Sequence, residues 1–407
     1  MKNILAVTYW SFKEPILQSG ALPYLKIISR SLPQNSKIYL FTLEKPQFKI
    51  SDDEKNEIET KLAEHNIFLI SRNYYPFGIK AMVLWVINFI DLIIFSIKNK
   101  ITSMHAFGMP GGAIAFVLSL FNRKKYIIDC YEPHAEAMVE NGTWKNTSFT
   151  FRLLFFLEKQ QTKSAFAIIS HTEKIKDYIL TKYKIKKVNN YVRQNIVDFT
   201  LFNSDSSLLT RQQLQISTSD IVCIYVGKLG GIYLEKELFD FFSICKKHWK
   251  EQFKAILLTD ANQALINNYC KEFDINPESV LTFFVSHEQV KDYLALADFA
   301  ICAVKPIPTK QYCSPIKTGE YWAMGLPIVI PSNIGEDSEI IKKENIGFVL
   351  SRLNNDEYQK AIKEIENLLS ESTNVKLKEK ICEIAWCYRS ENSIKPIYES
   401  IYQNAYF

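Results

Sequence analysis

The chain has 407 residues, a formal net charge of +5, and side chains that are 47% apolar and 23% charged. That length exceeds what one hydrophobic core fills and suits two domains of ordinary size. The lack of low-complexity runs and the scarcity of glycine and proline exclude extended disorder. The modest charge argues against a dedicated nucleic-acid binder, which needs a concentrated basic face, and is compatible with an anionic small substrate or an anionic membrane surface.

Lys2–Tyr9 reads directly as a strand. It lacks the apolar stretch and cleavage site of a signal peptide, so a cytosolic location is expected. Short apolar runs then alternate with helix-length segments. Strands are predicted at Ile4–Thr8, Lys37–Thr42, Ile67–Ile70, Ile101–Ala106, Lys125–Cys130 and Ala165–Ser170. Helices are predicted at Leu22–Ser31, Asp53–His65, Ala81–Lys98, Gly112–Phe121 and Ser148–Lys163. The apolar segment Ala81–Ile97 is short for a membrane span and contains Asn88 and Asp91. It is read as a buried helix between two strands, with a helix docked at the membrane surface as the alternative.

After a polar stretch at 195–217 a second alternation begins. Strands are predicted at Ile221–Val226, Phe253–Leu258, Val280–Val285, Phe299–Val304 and Pro327–Ile330, with helices at Glu235–Lys247, Ala261–Phe273, Gln289–Ala297 and Thr318–Met324. Tyr358–Leu369 and Ser390–Tyr406 read as further helices, the last rich in tyrosine. The pattern predicts two parallel sheets with helices on both faces. Ligands on such sheets bind outside the C-terminal ends of the strands. The eight cysteines include no Cys-x-x-Cys pair, so reduced thiols are expected and no metal site is assigned.

The most informative segment is Ser314–Pro331, SPIKTGEYWAMGLPIVIP. A polar loop opens a helix, and Gly325-Leu326-Pro327 then breaks into a buried strand. The first N–H groups of such a helix have no partner within it, and the dipole makes the spot attractive to phosphate. Lys317 can pair with phosphate oxygens, and Glu320 can accept hydrogen bonds from ribose hydroxyls. A plain helix–turn–strand unit, with Glu320 as a favourable charge in the first turn, is the simpler reading. Ile221–Gly231, IVCIYVGKLGG, is a second candidate. A strand ends at Gly227-Lys228, where the backbone can approach a diphosphate closely and Lys228 can neutralise it.

Together these segments resemble the donor-binding motifs of GT-B glycosyltransferases, in particular the group-4-like family (glycosyl transferases group 1). The resemblance rests on Pro315, Lys317, Glu320, Tyr321, Ala323, Gly325, Pro327, Ile328 and Val329, with Tyr225, Gly227 and Lys228 upstream. Many members carry a second glutamate at the position of Tyr312, and this chain departs from them there. The resemblance implies two Rossmann-like domains facing a central cleft, with the last helix crossing back to the first domain. Residues 1–195 plus 388–407 would form the acceptor-side domain and 196–387 the donor domain. It further implies transfer of a sugar from a UDP- or GDP-sugar to a glycan or lipid-linked acceptor, with retained configuration, in bacterial surface polysaccharide synthesis. Other readings are a sugar-nucleotide epimerase and a catalytically silent partner protein.

By the same resemblance His134, Lys228 and Glu320 are the candidate catalytic residues. Gly227, Lys228, Ser314, Pro315, Ile316, Lys317, Thr318 and Glu320 would hold the donor, with Ser19 and Gly20 in a loop after the first strand. Asp129, Glu132 and Glu136 are alternatives to His134, and His105 is read as structural. Lys236 is a candidate for the family's second lysine, and Lys305, Lys310 and the Gly335-Glu336 turn are candidates for shaping the second-domain cleft. Asn195–Asp198, with Phe202 as an apolar anchor, resembles the interdomain hinge. Basic residues crowd 123–125 and 174–187, which suits either a solvated face or peripheral contact with an anionic inner membrane.

Overall fold

The computed structural model describes residues 2–75, 79–129, 132–203, 207–372, 375–404 and 407. Cys130 and Tyr406 lie outside them. The chain divides into two compact units, Met1–Arg193 with Glu391–Phe407, and Gln194–Ser390.

In the first unit the elements run β1 (Asn3–Val7), α1 (Pro15–Gly20), α2 (Leu22–Ser31), β2 (Ile38–Glu44), α3 (Asp52–Ala63), β3 (Ile67–Asn73), α4 (Ile79–Lys98) and β4 (Ile101–Phe107). They continue as α5 (Gly108–Asn122), β5 (Lys125–Asp129), α6 (His134–Glu140), α7 (Phe149–Ser164), β6 (Ala167–Ser170), α8 (Lys174–Tyr178) and β7 (Asn190–Val192). All seven strands are parallel in the order β3-β2-β1-β4-β5-β6-β7. β1 and β4, at the centre, are buried almost throughout, Thr102 apart, because both faces are covered by helices. Connections between parallel strands are right-handed, which puts α4, α5 and α7 on one face and α2 and α3 on the other. α5 packs against both α4 and α7.

The second unit contains β8 (Ile221–Val226), α9 (Lys236–Trp249), β9 (Phe253–Leu258), α10 (Gln263–Glu272), β10 (Val280–Phe283), α11 (Val290–Leu294) and β11 (Phe299–Ile301). Then come α12 (Ile316–Ala323), β12 (Ile328–Pro331), α13 (Asp337–Glu344), β13 (Gly347–Leu350), α14 (Asn355–Ser372) and α15 (Val375–Arg389). Its strands are parallel in the order β10-β9-β8-β11-β12-β13. Apolar clusters cover both faces, one built around Trp322 and Ile328, the other around Phe242 and Phe253.

The last helix, α16 (Glu391–Tyr402), belongs to the first unit and packs on α2. A buried polar network fixes it. The His105 ring Nδ1 lies 2.7 Å from the Tyr402 hydroxyl. Tyr398 Oη donates to Asp129 at 3.3 Å, and Arg193 Nη2 donates to the same carboxylate at 2.7 Å. The Arg193 guanidinium stacks on Tyr24 at 3.6 Å. Burial opposes ionisation of Asp129, but Arg193 and His105 outweigh it and hold the carboxyl below its ordinary range.

α4 departs from the expected buried helix. Leu92 and Ser96 face inward, while Val86, Ile90, Ile94 and Ile97 are exposed. The helix packs against β4 and α5 with one stripe only, and its outer stripe is also apolar. No helix among the described residues is long and apolar enough to cross a membrane.

Candidate functional site

Tyr321 ties the C-terminal end of β8 to α12, and Tyr225 braces the turn that follows β8. The Val226 N–H donates to Tyr321 Oη at 2.9 Å, and Tyr225 Oη donates to the Lys228 carbonyl at 2.5 Å. Gly227 follows with φ +155°, and a Cβ there would lie 2.8 Å from Tyr225 Oη. Glycine is favoured there because side-chain-bearing residues rarely adopt that φ. Lys228 projects outward, its Nζ 3.5 Å from Asp260, with its side chain 75% exposed.

α12 begins at Ile316, two residues earlier than expected. Its N-cap, Pro315, offers no side-chain cap, so the opening N–H groups are left to solvent or a ligand. Behind them the loop is fixed from beneath. Ser314 Oγ accepts from the Asn195 N–H at 3.0 Å, and the Ser314 carbonyl accepts from Asn195 Nδ2 at 2.6 Å. Arg389, fully buried, donates to Ser314 Oγ, to Asp337 and to the Asn195 carbonyl, with its guanidinium 5.4 Å from the Trp322 ring centroid. Gly319 lets α12 lie close to this support, since a Cβ there would sit 2.7 Å from Val197 Cγ2. The Ser314 hydroxyl is therefore a structural group turned into the protein. Thr318 is likewise buried.

Glu320 lies in the second turn of α12, which rules out the simple role of a first-turn helix charge. Its side chain is 2% exposed. Oε2 accepts from Lys317 Nζ at 3.0 Å, and Oε1 accepts from His287 Nε2 at 2.8 Å. Burial works against the carboxylate, yet Lys317 and His287 prevail and keep its pKa below the usual value. The structure thus pairs Glu320 with Lys317 and sets Lys228 beside Asp260. His287 escaped the sequence reading. The capping box Ser286–Gln289 marks its turn, but the contact with Glu320 spans 33 residues. Arg389 and Asp337 escaped it too, because each is an ordinary residue near a helix end until the fold buries it.

Several other candidates have prosaic places. Lys236 pairs with Glu272 at 2.6 Å, and Lys305 Nζ donates to the Gly231 carbonyl at 2.9 Å. Tyr312 ends a 3-10 turn, Pro308–Tyr312. Lys310 is buried, and Gly335, at φ +54°, packs its Cα against the Cys313 carbonyl where a Cβ would clash at 2.0 Å. Glu336 accepts from Gln194 Nε2 at 3.1 Å, and Phe202 is buried 5.4 Å from the His287 ring.

In the first unit His134 opens α6, half-buried, with its ring edge-on to Trp144 at 6.5 Å. It stands near the C-terminal end of β5, the side where this architecture places ligands. Asp129 serves the buried network instead, and Glu136 accepts from Lys182 at 3.3 Å. Glu132 is half-buried. Ser19 and Gly20 do not form a loop. They end α1, and Ser19 Oγ donates to the Pro15 carbonyl at 2.8 Å. Pro15, with its fixed φ at the first helical positions, starts a short helix where loop residues were expected.

The fold is that of GT-B glycosyltransferases. HepE from Anabaena, solved with UDP, superposes with a TM-score of 0.73 at 13% identity, covering 99% of this chain and 100% of that one. Sucrose-phosphate synthase from Thermosynechococcus elongatus gives 0.70 at 13% identity over 99% and 98% of the two chains. WaaG, a glycosyltransferase involved in lipopolysaccharide biosynthesis, gives 0.65 at 13% identity, covering all of both. Residues 308–391, which contain α12 and its support, match the family model for the glucosyltransferase 3-like C-terminal domain. No curated protein matched the sequence.

Proposed function

We propose that this chain transfers a sugar from a nucleotide diphosphate sugar to a glycan or lipid-linked acceptor, with retention of configuration. The observation that carries the reading is Glu320. A buried, ionised carboxylate is costly, and this one is held on a helix whose uncapped N-terminus suits phosphate. Its oxygens are the acceptors that ribose hydroxyls require. The same fold in HepE has been solved with UDP and with UDP-glucose, which favours a UDP-sugar over a GDP-sugar as donor.

In this mechanism the diphosphate lies at the start of α12. The opening N–H groups and Lys317 stabilise the charge that grows on the leaving group as the glycosidic bond breaks. Lys228, on its exposed turn, adds a second cation once it releases Asp260. Ribose displaces Lys317 or His287 from Glu320, so the cation freed by binding becomes available to phosphate. His134 is the first unit's candidate for contact with the sugar or acceptor. We place the protein in the cytoplasm and assign it to bacterial surface polysaccharide synthesis.

The test is Glu320→Ala beside Glu320→Gln, with UDP-sugar affinity measured by calorimetry and turnover by UDP release. Glu320→Ala is expected to weaken donor binding at least about tenfold, or about 1.4 kcal/mol, with Glu320→Gln intermediate. Parental affinity and turnover in the alanine variant would remove the assignment.

A further inference from the structure

The outer face of the first unit's helical layer is apolar where a solvated face should be polar. Of that unit's exposed large apolar side chains among the described residues, all but Ile16 and Leu180 lie on α4, α5 and α7. α4 presents Val86, Ile90, Ile94 and Ile97, the last 72% exposed. α5 ends in Leu120 and Phe121, and α7 adds Phe149 and Phe156. These helices are neighbours in one layer, so the side chains form a surface rather than scattered points. A patch of that kind marks a contact site.

The parallel sheet then sets the charge. Every strand enters from the same edge, so the residues before β4, β5, β6 and β7 line up side by side. They are basic at each step: Lys98 and Lys100 before β4, Arg123 and Lys124 before β5, Lys163 before β6, and Lys184, Lys186 and Lys187 before β7. All are exposed except the half-buried Lys124. The entry segments 98–101, 122–125, 163–167 and 184–190 hold no acidic residue. Among the described residues Asp91 is exposed on α4, α6 brings Glu136 and Glu140 where it packs on α5 and α7, and Glu64 precedes β3 at the far side of the sheet.

We propose that this face docks on an anionic lipid bilayer, with α4 lying in the interface plane and the strand-entry edge against the headgroups. An apolar stripe along a helix that does not span, bordered by lysine and arginine, is the arrangement that binds such surfaces. A second copy of the chain would cover the apolar stripe but would gain nothing from the basic edge. The edge is also opposite the strand ends near His134, so docking leaves that side of the sheet open. The proposal concerns the first unit and does not depend on how the second unit holds its donor.

Sedimentation of the full chain with vesicles tests it. Binding to an equal mixture of phosphatidylcholine and phosphatidylglycerol is expected to exceed binding to phosphatidylcholine alone at least about tenfold, and to weaken with added salt. Ile90→Ser/Ile94→Ser/Ile97→Ser and Arg123→Glu/Lys186→Glu change exposed residues, and each should lower binding at least about tenfold. Stabilisation by UDP, followed in the same preparations, reports separately on the second unit. Failure to bind the mixed vesicles overturns the proposal. So does a dimer in solution that the triple serine variant converts to monomer while vesicle binding stays absent.

Discussion

Glu158 shows how much a single buried group can couple this fold to pH. It sits on α7, accepts from the Ala135 N–H at 2.9 Å and from Tyr183 Oη at 2.9 Å, and is fully buried. Burial dominates those hydrogen bonds and pushes its pKa from 4.5 up to about 8. The folded protein therefore holds a proton that the unfolded chain has lost. Stability is greatest below the unfolded value and falls as pH rises from 4.5 toward about 8. The slope approaches roughly 1.4 kcal/mol per pH unit in that window. Glu158→Gln is expected to remove this dependence and to be more stable than the parent at about pH 9. Urea midpoints at mildly acidic and mildly basic pH measure both.

At the scale of an element, α12 is positioned by groups that no ligand touches. The Arg389–Asp337 pair lies beneath Ser314 and Trp322, at the end of α15 and the start of α13. Removing one member of a buried pair leaves the other charge uncompensated, which costs about 3–5 kcal/mol. Arg389→Met is expected to lower the urea midpoint of the second unit accordingly. Arg389→Met/Asp337→Asn should recover part of that loss, since the orphaned carboxylate is gone. Equal stability of the two variants would show that the pair acts independently of charge compensation.

At the scale of the whole molecule, each unit has its own sheet and core, and the candidate donor residues that cluster belong to the second unit. A ligand bound there stabilises the folded state by a term logarithmic in concentration, about 2.7 kcal/mol at a hundred times its dissociation constant. UDP is expected to raise the second unit's thermal midpoint, and GDP, CMP and dTDP to do so less. Scanning calorimetry across the four nucleotides reads the preference directly. A shift with none of them would count against a nucleotide site at α12.

Local patterns in the chain were enough for the architecture. Alternating apolar runs and helical segments give two parallel α/β sheets, because backbone hydrogen bonding and side-chain period act over a few residues. β8 and α2 fall at their expected limits for this reason. Short elements were not legible: β7, with three half-buried residues, has no apolar run, and α1 follows from a proline rather than a periodic stripe. The α12 segment was visible as a motif, and Glu320 and Lys317 with it. Tertiary structure alone decided that His287 reaches Glu320, that Ser314 turns inward to Arg389, that Asp129 anchors α16, and that the outer stripe of α4 is exposed. Those outcomes depend on which distant surfaces meet. Burial and charge pairing are properties of the assembled neighbourhood, and sequence spacing does not encode them.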